Sequence, residues 1–295
     1  MTVATIEEGV PLSRFTTIGT GGPARWFVRP ETVEQLQEAL RWAAAEGLAV
    51  EAIGLGSNLL VHDDGFDGLV LKLAGELAAV HVEGEILVAG GGATNAVCLH
   101  RARDAGLGGF EFASAIPGTA GGGVRMNAGA YGRDWCETMI DALVVGPAGT
   151  RTVTPSELGL TYRHSNLDPG EVVARVRYGL VPNAPDTIKA KVSELLAQRK
   201  ASQPTNKRTF GSVFKNPDDG QGAGRMIEEC GLKGHRIGGA VISQRHANFI
   251  ENAGEAKSAD AIALMAEARQ RVFERFAVEL DHEVRFLGPL ELPAL

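Results

Sequence analysis

The stretch Ala113–Gly132, ASAIPGTAGGGVRMNAGAYG, holds six glycines, one arginine and no acidic residue. Glycine reaches positive φ at little cost and has no Cβ, so the backbone can press against a ligand. Consecutive uncharged amides in a turn also form a concave anion site, because successive N–H groups point inward. A second stretch of this kind lies upstream at Gly54–Val61, GLGSNLLV. Two such loops, each beside a strand-like run, point to a phosphate-bearing ligand of some length. Neither is a good dinucleotide fingerprint. Gly54-Leu55-Gly56-Ser57-Asn58-Leu59 lacks the third glycine, Gly222-Ala223-Gly224 lacks a preceding strand, and a Walker lysine motif is absent. A Rossmann or P-loop cradle is therefore not expected.

Around these loops the periodicity alternates. Thr32–Glu46 reads as a helix, with Thr32 and Gln35 as a capping box and Gly47 as the stop. Ala49–Ile53 and Leu69–Leu73 read as strands flanking the first loop. Val80–Val82 and Ile86–Ala89 read as a hairpin, and Asn95–Ala105 as a helix closed by Gly106. Strands are predicted at Ala142–Val145 and Val172–Leu180, then a helix capped by Asp186. The polar run Lys200–Lys207, KASQPTNK, marks a domain boundary. Beyond it come a short helix near Gly224–Cys230 and strands at Ala240–Ile242 and Ala247–Ile250. A long helix is expected from Ser258 to about Leu280, with Ile262, Met265, Val272, Phe273 and Phe276 inward, followed by a strand at Glu283–Leu287. Hairpins mixed with helices predict an α+β fold rather than a doubly wound parallel sheet.

A chain of 295 residues, 44% hydrophobic and 22% charged, is long enough for two or three domains with a sizeable core. The formal charge of −7 argues against a nucleic-acid partner, which calls for a basic footprint. No apolar run is long enough to span a bilayer, and MTVATIEEGVPLSRF shows no secretory signal, so a cytoplasmic protein without membrane insertion is expected. Cys98, Cys136 and Cys230 are odd in number and widely spaced, which suits free thiols. The seven histidines have no ligand spacing, so no metal site is expected.

Three further segments crowd reactive side chains: Tyr162-Arg163-His164-Ser165, Gly211–Pro217 (GSVFKNP), and His282–Phe286 (HEVRF). Taken alone, each has a plain explanation as a paired strand arginine, a turn serine or a solvated strand face. Together with the Gly-rich loops they resemble the UDP-N-acetylenolpyruvoylglucosamine reductases. The marks are Thr17–Ala24 (TIGTGGPA), Gly54–Val61, Ile116–Gly132, Tyr162–Ser165, Gly211–Pro217, Gly224–Gly234 (GRMIEECGLKG), His246–Ile250 (HANFI) and Glu283–Gly288 (EVRFLG). The order and spacing of eight segments carry the resemblance over Thr17–Gly288.

The resemblance implies a two-subdomain FAD-binding fold of the vanillyl-alcohol-oxidase-like type plus a C-terminal α+β substrate domain. The subdomains would be 1–80 and 81–204, with 282–295 returning to the latter, and the substrate domain 205–281. FAD would be non-covalent, with Leu55, Gly56, Ser57, Asn58 and Leu59 around the pyrophosphate. Ser114, Pro117, Gly118, Gly121, Gly122, Asn127 and Gly129 would lie along the flavin and phosphates. Arg163, Ser212 and Glu283 would be catalytic, and Arg163, Lys215, Asn216 and Arg225 would hold substrate. The implied reaction uses NADPH to reduce the enolpyruvyl group of UDP-N-acetylglucosamine enolpyruvate, in cell-wall precursor synthesis. All three tyrosines, Tyr131, Tyr162 and Tyr178, precede Lys200, so the chain resembles the short form without a tyrosine-bearing substrate loop. A monomer is expected.

Two rivals stand beside this reading. Another oxidase or dehydrogenase of the same flavin class often carries a flavin-linked His in its first Gly-rich loop; here His62 comes only after Leu-Leu-Val. A non-catalytic nucleotide-binding module would leave Arg163, Ser212 and Glu283 without a shared purpose.

Overall fold

The computed structural model describes residues 5–217 and 220–295, which form two compact units. The first contains Trp26–Leu55 and Gly68–Arg199 with the chain start up to Glu8; the second contains Gly9–Arg25, Gly56–Asp67 and Lys200–Leu295.

The first unit is built on a five-stranded antiparallel sheet. Its order is Gly149–Val153, Met139–Gly146, Val172–Gly179, Ile86–Gly90, Val80–Glu83. The expected hairpin is present, with Gly84 turning at φ +61°. Beside Ala49–Ala52, residues Gly68–Leu71 run parallel. Helix α1 (Val33–Ala45) starts on Thr32, whose Oγ1 accepts from Gln35 N; the Gln35 side chain accepts from Glu31 N rather than from the cap residue. Its buried Leu36, Leu40 and Ala43 pack with Val28, Leu69, Val145 and Val172. Helix α2 (Asn95–Asp104) ends at Ala105, with Gly106 at φ +68°.

The Gly-rich stretch is not all loop. Ala120–Arg125 forms a short helix, α3, capped by Thr119. Three consecutive glycines disfavour a helix by propensity, but packing overrides it. A Cβ on Gly121 would lie 2.9 Å from Gly91 O, and one on Gly123 would run into the Trp135 ring. Trp135 sits in a buried aromatic cluster with Phe110, Phe112 and Tyr178, and its Nε1 donates to the Tyr178 hydroxyl at 2.7 Å.

Helix α4 (Pro185–Ser202) opens on Pro185 rather than on an Asp186 cap, consistent with proline's preference for the first helical position. It runs into the polar stretch expected as a linker, because Arg199, Lys200 and Ala201 continue a helix readily until Pro204.

The second unit has a four-stranded antiparallel sheet ordered Thr209–Ser212, Phe249–Asn252, Ala240–Ile242, Arg236–Ile237. Helices α5 (Ala223–Glu229) and α6 (Ser258–Phe276) pack against one another, and Met226, Ile227, Leu264, Met265 and Val272 share one core with Phe210 and Phe214. Helix α6 stops short of Leu280 because Ala277 turns left-handed at φ +55°, and Phe273 is 43% exposed rather than inward. The segment 282–295, expected with 81–204, carries the strand Arg285–Leu287, which pairs in parallel with Leu59–Val61. No helix among the described residues is long and apolar enough to cross a membrane.

Candidate active site

In the first unit the two Gly-rich segments approach each other through Gly54 and Thr119. A Cβ on Gly54 would lie 2.7 Å from Thr119 Oγ1. Lys72, directly after the strand Phe66–Leu71, donates through Nζ to Gly54 O. Burial, helped by Arg29, lowers the pKa of this ammonium, and no carboxylate pairs with it among the described residues. Two polar atoms nearby are orphaned. Ser114 Oγ and Asn95 Oδ1 are shut off from solvent without a hydrogen-bond partner. Asn95 is itself fixed, with N donating to Gly118 O and Nδ2 to Ile116 O. A buried unsatisfied polar atom costs about 1–3 kcal/mol, so a polar ligand group reaching either atom would gain a hydrogen bond there.

Arg163 occupies the tip of a tight turn. Thr161 and His164 exchange both backbone hydrogen bonds, at 3.1 and 3.2 Å, and Arg163 itself takes φ +56°. Its Nη2 donates to Gly129 O at 3.1 Å and its guanidinium lies over the Tyr162 ring. Asn127 anchors the turn from below. This buried amide donates to Thr161 O and to Asp134, and its Oδ1 accepts from Cys136 N.

In the second unit, Ser212 and Glu283 are brought to adjacent backbones. The strand Thr209–Ser212 is irregular: Gly211 takes φ +85°, and the pairing register with Phe249–Asn252 shifts before Ser212. Glu283 N donates to Val213 O at 2.7 Å, Lys215 N donates to Asp281 O, and Phe214 bridges His282. Asn58 ties in the first Gly-rich loop, because its Nδ2 donates to Glu283 O at 3.1 Å and its O accepts from Arg285 N. Asn216 Oδ1 accepts from Ala223 N at the start of α5. Arg225 is exposed and pairs with Glu229.

Several residues picked from the sequence therefore have a different physical reason for being there. The Gly121 N–H is given to Gly91 O and the Gly122 N–H to Thr119 Oγ1, so these two amides already have partners within the fold. The glycine at 56 is required by the chain at Phe15–Thr16: it lies at φ +64°, and a Cβ would collide with Phe15 O. Lys72 and Asn95 were not singled out by motif. What reveals them is a half-buried ammonium with no carboxylate partner among the described residues, and a buried Oδ1 that accepts no hydrogen bond.

Residues 24–154 match the family model described as an FAD binding domain, so the chain is of the FAD-binding class. Residues 203–287 match UDP-N-acetylenolpyruvoylglucosamine reductase, C-terminal domain. A UDP-N-acetylenolpyruvoylglucosamine reductase of Novosphingobium aromaticivorans is 43% identical over 285 residues, covering 96% of this chain and 95% of the relative. A second, from Symbiobacterium thermophilum, is 42% identical, covering 96% and 92%. The crystal structure of such a reductase from Thermus caldophilus superposes with a TM-score of 0.85 at 36% identity, over 97% of this chain and all of the other. The chain belongs to the UDP-N-acetylenolpyruvoylglucosamine reductase family. The residues present fit FAD: the orphaned Ser114 Oγ and Asn95 Oδ1, and the Lys72 ammonium without a counter-ion, suit a ligand with hydroxyls and a pyrophosphate.

Proposed function

We infer that this protein is an NADPH-dependent FAD enzyme that reduces the enolpyruvyl group of UDP-N-acetylglucosamine enolpyruvate to the lactyl ether. The product, UDP-N-acetylmuramate, serves peptidoglycan precursor synthesis. FAD, when bound, would supply hydride chemistry with NADPH as the donor, directed to the terminal alkene carbon. Every other part of the reaction falls to side chains.

As hydride arrives, negative charge grows on the neighbouring carbon and its carboxylate. Arg163 meets that charge; its planar fork suits a carboxylate, and the anchor on Gly129 O fixes its direction beforehand. Ser212 gives its hydroxyl proton to the carbon beside the carboxylate. A serine hydroxyl is a weak acid, but a carbanion is a strong base, and Lys215 is near in sequence to help restore the proton. Glu283 orients the carboxyl end or acts protonated, since a bare carboxylate would repel the substrate. Leu55–Leu59, Ser114, Pro117, Gly118, Gly121, Gly122, Asn127 and Gly129 would hold FAD, and the Lys72 ammonium would suit its pyrophosphate charge. Lys215, Asn216 and Arg225 are assigned to substrate.

We further propose the division into 1–80, 81–204 with 282–295 returning to it, and 205–281, the short form without a tyrosine loop, a monomer, and a cytoplasmic location, where NADPH and nucleotide sugars are made. The observation that most supports the reading is the pairing of the Ser212 segment with the Glu283 segment, held at Glu283 N to Val213 O. The test is anaerobic mixing with NADPH and then with the enolpyruvyl sugar nucleotide. Flavin absorbance should bleach in the first step and return in the second. A protein that bleaches but never recovers colour with this substrate contradicts the assignment.

A further inference from the structure

The motif His246–Ile250 has no role in the chemistry above, yet its Asn248 makes four hydrogen bonds at the point where Ser212 is presented. Asn248 is buried, with 4% exposure. Its backbone O accepts from Val213 N at 2.9 Å. Its side-chain Oδ1 accepts from Phe214 N at 2.9 Å, and its Nδ2 donates to Phe214 O at 2.8 Å. Its own N donates to His246 Nδ1 at 3.2 Å.

The pattern explains how a broken strand keeps its place. The regular ladder reaches Ser212, paired with Phe249, after the irregularity at Gly211. Past Ser212 the Asn248 side-chain amide takes over, offering Phe214 one acceptor and one donor as a neighbouring strand would. On the far side of Val213–Lys215 lie the backbones of Asp281 and Glu283. The segment is thus clamped from both sides. No other side chain of similar size offers a donor and an acceptor in this arrangement. Aspartate would accept from Phe214 N but repel Phe214 O, and leucine would leave both unsatisfied. His246 holds the Asn248 backbone, its Nδ1 accepting from Asn248 N, with its imidazole against Gly224, where a Cβ would lie 2.7 Å from Cε1.

We propose that Asn248 is a positioning residue for the reduction: its side-chain amide holds Val213–Phe214 in the register that aims Ser212 and places Glu283. The proposal rests on the reading of Ser212 as the proton donor. Positioning errors of about 1 Å can cost about 10²-fold in rate, and the cost should fall on one half of the reaction only.

The experiment is a double-mutant cycle on the FAD-loaded enzyme, using Asn248→Ala, Ser212→Ala and the double variant. Reduction by NADPH and reoxidation by saturating substrate are followed separately. Asn248→Ala should leave NADPH reduction near wild type and slow reoxidation about 10²-fold. In the Ser212→Ala background it should cost little more, because the group it aims has gone. Hydrogen exchange at the Phe214 amide should speed up in Asn248→Ala, independently of turnover. If Asn248→Ala does not fold, Asn248→Asp, of equal volume, carries the kinetic part of the test, since only its contact with Phe214 O is lost. Losses that multiply in the double variant overturn the proposal. So does equal slowing of both halves, or a raised substrate KM with an unchanged rate. If Ser212→Ala alone leaves reoxidation intact, the reading of Ser212 as the proton donor fails and the proposal with it, while the reduction of the enolpyruvyl group stands.

Discussion

Gly56 has a packing reason to be glycine beside the one its sequence suggests. From sequence, its lack of a Cβ suggests backbone contact with phosphate. In the structure its Cβ direction is filled by Phe15–Thr16, and its carbonyl accepts from Thr17 N and Oγ1. Left-handed φ costs a non-glycine residue roughly 1–2 kcal/mol before any collision. Gly56→Ala should therefore lower stability by more than that even in flavin-free protein, measured by urea unfolding with and without FAD. A loss seen only in the FAD-bound state would restore the phosphate explanation. Arg163 is legible by type but not by geometry. The left-handed φ, the Gly129 carbonyl and the Asn127 bracket come from residues more than thirty positions apart in part, so no local pattern announces them. Arg163→Ala should slow reoxidation by substrate about 10²–10³-fold, the usual worth of a charged donor aimed at developing charge. Arg163→Lys should recover little, since the planar fork is lost. A defect confined to substrate affinity would make Arg163 a binding residue only.

Among elements, the longest misreading is α3. Hydrophobic periodicity located α1, α2, the Val80–Gly90 hairpin and α5 to within a few residues, because each has its own cap, turn or stripe. Helix α3 has none of these except Thr119. Gly121 and Gly123 have no room for a Cβ because Gly91 and Trp135 press against them, and that contact is invisible until the sheet is assembled. Where α6 and α4 end was equally hidden: Ala277 turns left-handed without being glycine, and α4 continues on good helix formers to Ser202. If packing explains α3, Gly123→Ala should not stabilise it, despite alanine's better propensity. Pushing a methyl into the Trp135 ring should cost about 1–3 kcal/mol. Thermal unfolding followed by Trp fluorescence measures it; an unchanged or raised midpoint would show that α3 is not held against Trp135.

At the scale of the whole molecule, charge determines the response to acid. Arg177 Nε donates to Asp141 at 2.9 and 3.1 Å, and this pair holds the Asp141 carboxyl below the usual carboxylate range. Arg151 does the same for Glu171. A lowered folded-state pKa contributes stability that is present above the unfolded value, near 4, and is lost as pH falls through the folded value. Asp141→Asn should therefore be less stable than wild type at pH 7, and the gap should narrow as the pH is lowered below 4. A gap that is constant with pH would remove the ion pair as its source.

On the proposed reading, bound flavin supplies the hydride and Ser212 the proton. The two half-reactions share the cofactor but not the proton donor, and general acid catalysis is commonly worth about 10²–10⁴-fold. Rapid-mixing absorbance of FAD-loaded Ser212→Ala tests this most directly. The account predicts normal bleaching by NADPH, then reoxidation by the enolpyruvyl sugar nucleotide slowed by that factor, partly recovered in Ser212→Cys. Reoxidation at the wild-type rate, or equal slowing of both steps, would contradict it.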